Sequence, residues 1–258
     1  MYFDTHTHLN ADQFTEIRED IIQESLNEKV TKMVVVGFDE KTNKLANQIV
    51  QDYDFLYASA GIHPVDAHEA TEDDFKLVEQ LLKQDKTVAV GECGLDYYWQ
   101  KDTKDVQAEV FKRQLRYSRE YKKPIIIHTR DAMKDTYDLL KEEFEENGPI
   151  SGIMHCYSGS PEMAEKFLEL GLHISLGGPV TFKNAKMPKE VAKMVPSNRL
   201  LIETDCPYLA PHPFRGKLNK PSLVPLVAKE IARLRDTDAY EVAKCTYTNA
   251  MTLFNIED

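Results

Sequence analysis

His6-Thr7-His8 places two imidazoles one residue apart near the start of the chain. In an extended segment side chains alternate, so both rings face one side and their nitrogens can reach a single ion together. One such pair is weak evidence; its weight comes from the polar residues further along. His63, His128 and His155, with the acids Glu92 and Asp205, each stand at or just beyond the end of a short apolar run. A histidine ending an otherwise apolar strand, as in Pro124-Ile125-Ile126-Ile127-His128, needs a partner to offset its desolvation. The imidazoles of His6, His8, His128 and His155 with two carboxylates are too many for one tetrahedral ion that must keep a water position. They suit two divalent ions sharing a bridging carboxylate, a centre that activates water as hydroxide. For each acid taken singly, a helix cap or an ion pair is the plainer alternative.

Eight short apolar runs must position these groups, at residues 2–4, 32–37, 56–62, 88–91, 125–128, 152–155, 173–176 and 200–203. Between them lie stretches mixing apolar and charged residues at helical spacing. Strict alternation of strand and helix implies a parallel sheet, and eight units in one chain of this length match a single-domain TIM (β/α)₈ barrel over residues 1–258. Two further helices, at 222–232 and 238–254, close it. An open doubly wound sheet would not need eight strands, and no G-x-G-x-x-G follows the first. In a barrel the polar residues collect at the C-terminal strand ends, with Asp4 grouped beside His6 and His8.

The chain has 258 residues, 32 Lys+Arg against 43 Asp+Glu and a formal net charge of −11. That balance excludes a broadly basic surface for gripping nucleic acid. Hydrophobic residues at 42% and charged residues at 29% fit a globular chain with a sizeable core and exclude disorder. No apolar run reaches the roughly 18 residues of a membrane span. The opening Met1-Tyr2-Phe3-Asp4 lacks the basic and apolar regions of a secretory signal, which points to the cytoplasm. The chain is read as a monomer. Cys93, Cys156, Cys206 and Cys245 form no C-x-x-C pair and read as reduced thiols. The first three directly follow site residues, so strand alternation turns them away from the ions, into the layer between barrel and helices.

The site residues carry a resemblance to the TatD family of metal-dependent deoxyribonucleases, within the amidohydrolase-like metal-dependent hydrolases. It runs through Asp4-Thr5-His6-Thr7-His8, Gly61-Ile62-His63-Pro64, Gly91-Glu92-Cys93-Gly94-Leu95-Asp96-Tyr97-Tyr98, His128-Thr129-Arg130 and His155-Cys156-Tyr157-Ser158-Gly159. It ends in Glu203-Thr204-Asp205-Cys206-Pro207-Tyr208-Leu209 and the segment from Pro213 to Pro221. The resemblance covers nearly the whole chain in family order. It implies a TIM barrel in which His6, His8, Glu92 and Asp205 hold one ion, and Glu92, His128 and His155 the second. Glu92 is then the bridge, where other members of the superfamily use a carboxylated lysine. Cys93 and Cys206 depart mildly from the small residues often found at those positions.

The implied reaction is hydrolysis of DNA phosphodiester bonds, in the manner of a 3′-to-5′ exonuclease on single-stranded or frayed ends. Asp205 is the candidate general base, and His63, outside the ligand set, is placed to hydrogen-bond a phosphate oxygen or to protonate the leaving group. Glu203 either orients the water or a ligand, or is a buried structural carboxylate. Candidate substrate contacts are His63, Arg130, Arg215, Lys217, Asn219 and Tyr97. Residues 206–229 and 170–189 contain no Asp or Glu but several cations. Tyr97, Tyr98 and Trp99 either stack on a terminal base or pack their loop. The family is described as Mg-dependent, whereas four imidazoles favour Zn, Mn, Co or Fe by ligand softness. Two other readings remain, an amide or lactone hydrolase and a non-catalytic metal-binding scaffold.

Overall fold

The computed structural model describes residues 1–257. Among them, eight strands run β1 (Tyr2–Thr7), β2 (Val30–Val36), β3 (Leu56–Ala60), β4 (Thr87–Asp96), β5 (Ile125–Arg130), β6 (Gly152–Met154), β7 (His173–Leu176) and β8 (Leu200–Ile202). Each is followed by a helix: α1 (Arg18–Asn27), α2 (Glu40–Gln51), α3 (Glu72–Leu82), α4 (Lys104–Tyr121), α5 (Met133–Asn147), α6 (Pro161–Glu169), α7 (Lys186–Met194) and α8 (Val224–Arg235). A final helix, α9 (Ala239–Phe254), ends the chain. Neighbouring strands pair in parallel in the order β1 to β8. The fold is a TIM barrel. No described helix is long and apolar enough to cross a membrane.

Local chemistry sets where several helices begin. Asp39 accepts from Thr42 N at 2.7 Å, Thr71 and Asp74 cap α3 reciprocally, and Ser160 caps α6 ahead of Pro161. The apolar residues form two layers. Val35, Ala58, Val90, Ile127, Ile174 and Ile202 face the helices, and a smaller cluster of Phe3, Val34, Val88, Ile126, Ile153 and Leu201 packs with Ala250 and Phe254 of α9. Most of this second cluster stands at the first residues of the strands. There Asn249 Nδ2 donates to Ser197 O and Leu200 O. Thus α9 seals the end of the barrel opposite the site.

Two strands depart from simple alternation where the site needs it. Between Asp4 and Thr7 three steps on β1 oppose two on β2, and between Val90 and Cys93 three steps on β4 oppose two on β5. Each is a bulge, and a bulge re-aims the side chains beside it. Gly91 makes the second one possible: its φ is +124°, and a Cβ there would lie 2.6 Å from Ile126 O. Gly94 keeps β4 and β5 paired, since a Cβ on it would meet His128 O at 2.0 Å. These glycines read as a turn in sequence, yet β4 runs on to Asp96 and β5 to Arg130. Both strands therefore extend past the apolar runs that end at 91 and 128.

The barrel closes through side chains as well as backbone. Beyond β8, Asp205 N donates to His6 O at 3.0 Å and His8 N to Cys206 O at 2.9 Å. Asp4, grouped in sequence with the histidines, turns instead to this seam. Its Oδ1 accepts from Thr204 N at 2.9 Å and His6 N at 3.3 Å, and its Oδ2 bonds Thr204 Oγ1 at 2.6 Å. Burial holds the Asp4 carboxyl well above the usual carboxylate range, although the Thr204 bonds oppose the shift. Asp4→Ala would strand three buried polar groups and should cost about 2–4 kcal/mol in urea unfolding. Asp4→Asn keeps an acceptor and should cost less; equal losses for the two would refute the seam's dependence on this hydrogen bonding.

Candidate metal centre

Six polar side chains from five strand ends converge at the C-terminal mouth. His6 lies in β1 with His8 just beyond it, Glu92 lies in β4 and His128 in β5, His155 directly follows β6, and Asp205 stands three residues past β8. His6 Nε2 and His8 Nε2 are 3.2 Å apart and lie 3.3 and 3.8 Å from Glu92 Oε2. Asp205 Oδ1 lies 3.8 and 3.4 Å from the same two nitrogens. The other Glu92 oxygen, Oε1, faces His155 Nε2 at 2.9 Å, His128 Nδ1 at 3.1 Å and His63 Nε2 at 3.6 Å. Glu92 therefore presents one oxygen to each of two groups of donors.

The outer ring nitrogens identify the tautomers, and with them the nitrogens free to bind an ion. His128 Nε2 meets Asp96 Oδ2 at 2.9 Å, His155 Nδ1 meets Glu203 Oε1 at 3.2 Å and His8 Nδ1 meets Val36 O at 3.3 Å. Each of those partners accepts a hydrogen bond, so one ring hydrogen sits outside, and the inner nitrogen offers a lone pair once the ring sheds any second proton. His63 is the reverse: its Nδ1 accepts from Val65 N at 3.2 Å, which puts the hydrogen on Nε2, aimed at Glu92. His63 thus falls close enough to Glu92 and His128 to complete a ligand-type trio, but its hydrogen bonding makes it a donor. His6 Nδ1 and Glu203 Oε2 are buried without partners, and His6, His155 and Glu203 also lie close together. Lone pairs turned inward on two oxygens of one buried carboxylate suit cations, so these residues are positioned to bind metal.

Electrostatics agree. Burial alone would raise Glu92, but His155 and His6, with hydrogen bonds from His128 and His155, outweigh it and hold its carboxyl well below the usual range. Asp205 is likewise lowered: burial opposes ionisation, and His8, His6 and His155 overcome it. Burial would lower His155, yet Glu92 and Glu203 push it well above the ordinary imidazole value, and carboxylates also raise His8 and His128 against burial. Burial dominates at His63, which falls to about 3.

The mouth is a cavity of about 660 Å³ whose wall includes His8, His63, Glu92, His128, His155 and Asp205. Arg130 is on that wall, as are Trp99, Tyr208 and Leu209. Other expected substrate contacts lie elsewhere. Asn219 is fully buried, its Nδ2 donating to Thr204 O at 2.8 Å and Tyr208 O at 2.6 Å, so it braces the loop after β8. Arg215 stacks on Phe182 at 4.5 Å and Lys217 lies 5.8 Å from the Phe214 ring, both off the cavity wall. Tyr97 packs outward, its hydroxyl on Asp135 Oδ2 at 3.0 Å and Lys104 over its ring.

Cys93 and Cys206 do point into the layer between barrel and helices. Cys156 does not; it lines the cavity. Its φ of +43° marks a turn straight after β6, where strand alternation no longer applies. Asp96 has no role expected from sequence, yet its Oδ2 holds His128. Its even spacing from Glu92 along an extended strand was the available signal.

The family model described as TatD related DNase matches residues 3–255. Among curated relatives, an uncharacterized metal-dependent hydrolase, YabD of Bacillus subtilis, is 51% identical over 99% of this chain and 100% of its own length. The protein named 3′-5′ ssDNA/RNA exonuclease TatD in Escherichia fergusonii is 31% identical over 98% of this chain and 99% of its own. The crystal structure of YJJV, a TatD homologue from Escherichia coli, superposes with a TM-score of 0.92 at 29% identity, covering 99% of this chain and 98% of that one.

Any cation binding here must displace the protons that the carboxylates hold on His155, His8 and His128. Affinity for Mn²⁺ should therefore rise with pH between about 6 and 8. Calorimetric titration at pH near 7 in buffers of different ionisation enthalpy should report proton release. Binding heats that do not depend on the buffer would contradict the arrangement.

Proposed function

The chain belongs to the TatD family of metal-dependent hydrolases, and from that premise we propose that it is a two-metal phosphodiesterase that trims single-stranded or frayed DNA from the 3′ end. The observation that carries the reading is Glu92, one oxygen turned to His6 and His8 beside Asp205, the other to His128 and His155. In this reading the first set would hold one ion and the second set the other, with Glu92 common to both. When bound, such ions would supply positive charge to the phosphate oxygens and would lower the pKa of a water.

The protein groups divide the remaining work. Asp205, kept ionised by His8 and partly open to the cavity, takes the proton of the attacking water. His63 stays neutral and presents Nε2–H, which suits a hydrogen bond to a phosphate oxygen and not protonation of the leaving group. Glu203 fixes His155 through Oε1, which also accepts from Cys156 N at 2.7 Å. It acts as a positioning residue and does not touch substrate. With Arg130 as the one Arg or Lys on the cavity wall among the described residues, little charge is available to hold a long duplex. That favours attack at a strand end. The relative named as an exonuclease supports the same polarity, and its name extends to RNA.

Protein stripped of metal with a chelator and incubated with 3′-end-labelled single-stranded DNA or RNA should release nucleotides only after divalent metal is added back. Asp205→Asn should lower kcat by about 10²–10⁴-fold, the usual worth of a general base. A variant as fast as the parent, or no metal-dependent release from either strand, would defeat the proposal. Mg²⁺ should sustain turnover, while elemental analysis of protein purified without chelator should find a transition metal, as the imidazole-rich donor set favours. Recovering neither Zn, Mn, Co nor Fe would contradict the donor argument.

A further inference from the structure

The extended ends of β4 and β5 carry a second assembly beside the centre. Asp96 pairs with Arg130 across the two strands, and Tyr97 N donates to Arg130 O at 2.9 Å. The Arg130 guanidinium lies 3.8 Å over the Tyr98 ring and 5.5 Å from that of Trp99, and the two rings meet edge to face at 4.8 Å. Tyr98 and Trp99 are 53% and 64% exposed, which leaves ring surface open to a partner. Trp99 and Arg130 share the cavity wall with His63, Glu92 and His128. Among the described residues no carboxylate pairs with Arg130. A guanidinium stacked flat on a ring keeps its edge N–H groups available.

This assembly is held rigidly relative to the centre. Asp96 Oδ1 accepts from Tyr98 N at 2.9 Å and Trp99 N at 2.8 Å, while its Oδ2 holds His128. Gln107 grips the same loop from below, accepting from Asp96 N and donating to Asp96 O and Gln100 O. One carboxylate thus fixes both a predicted ligand and the aromatic pair, so little ordering entropy is lost when a partner arrives.

We propose that Trp99, braced by Tyr98 and Arg130, is a stacking platform for one base of a single-stranded nucleic acid, and that the free edge of Arg130 takes a phosphate next to that base. The proposal rests on the phosphodiesterase reading and adds how the strand is recognised. An indole face accepts any base, so recognition is by ring face and tolerates sequence. A base can reach it only when it is unpaired, which selects single strands and frayed ends.

Trp99 is the chain's one tryptophan, so emission excited at the red edge, where tyrosine does not absorb, reports this position alone. In Mg²⁺, a phosphorothioate strand of thymidines should quench that emission. An abasic phosphorothioate strand of equal length and charge should bind without quenching. Trp99→Ala should weaken binding of the thymidine strand about tenfold by fluorescence anisotropy of an end-labelled strand, and Trp99→Phe should restore most of it. Arg130→Ala should weaken the abasic strand as well. Across these variants the ratio of kcat/KM for an oligonucleotide to that for bis-p-nitrophenyl phosphate should fall with binding.

Equal quenching by the abasic strand, or an unchanged thymidine-to-abasic affinity ratio in Trp99→Ala, overturns the platform. Strand hydrolysis without any dependence on bases overturns it while leaving the phosphodiesterase reading intact. Base-dependent quenching without metal-dependent hydrolysis does the reverse. If neither strand binds, both readings fall.

Discussion

A single carboxylate surrounded by imidazoles governs this molecule. Glu92 is buried in the barrel mouth, where an unpaired anion would be costly. It stays ionised because nitrogen atoms from several strands turn toward it. Those rings are buried or partly buried as well, and three of them lean on something behind them. His128 rests on Asp96, His155 on Glu203 and His8 on the Val36 carbonyl. The constraint propagates outward in this way until it reaches backbone that the barrel itself fixes.

That chain of dependence explains features that look separate. The bulges in β1 and β4 fall beside His6 and Glu92, where strict alternation would aim a side chain differently. Gly91 and Gly94 are the backbone concessions that let the β4 bulge exist without parting β4 from β5. Asp4 and Thr204 knit the seam between the first and last strands, and Asn219 braces the loop carrying Asp205. The apolar cluster under α9 fills the opposite end, so the polar residues share only the mouth with solvent. A barrel tolerates so dense a polar focus because its other end and its whole outer layer are closely packed.

Hydrogen-bond direction does as much as distance in sorting the histidines. His63 and His128 lie at comparable distances from Glu92 Oε1, yet Val65 N binds one ring and Asp96 the other from opposite chemical sense. One ring becomes a donor toward the cavity and the other a candidate ligand. Proximity alone would have merged them into one set. Asp96 goes further, since the same carboxylate fixes the loop that bears Tyr98 and Trp99. Placement of the centre and of its rim are mechanically one problem.

Much of this was legible in the residues. Eight apolar runs separated by helical stretches specify the barrel, because strand–helix alternation forces a parallel sheet. Polar residues ending those runs specify the mouth, since a buried imidazole or carboxylate needs company. Hence His6, His8, Glu92, His128, His155 and Asp205 could be named together from sequence. Their tautomers could not, nor the outward turn of Tyr97, the cavity-facing Cys156 or the inward burial of Asn219. Those outcomes depend on bulges, on a left-handed turn after β6 and on partners tens to hundreds of residues away. Alternation is a local rule set by the pleat, and it fails wherever an extra residue is inserted. Which carboxylate stands behind which ring is decided only when the strands meet.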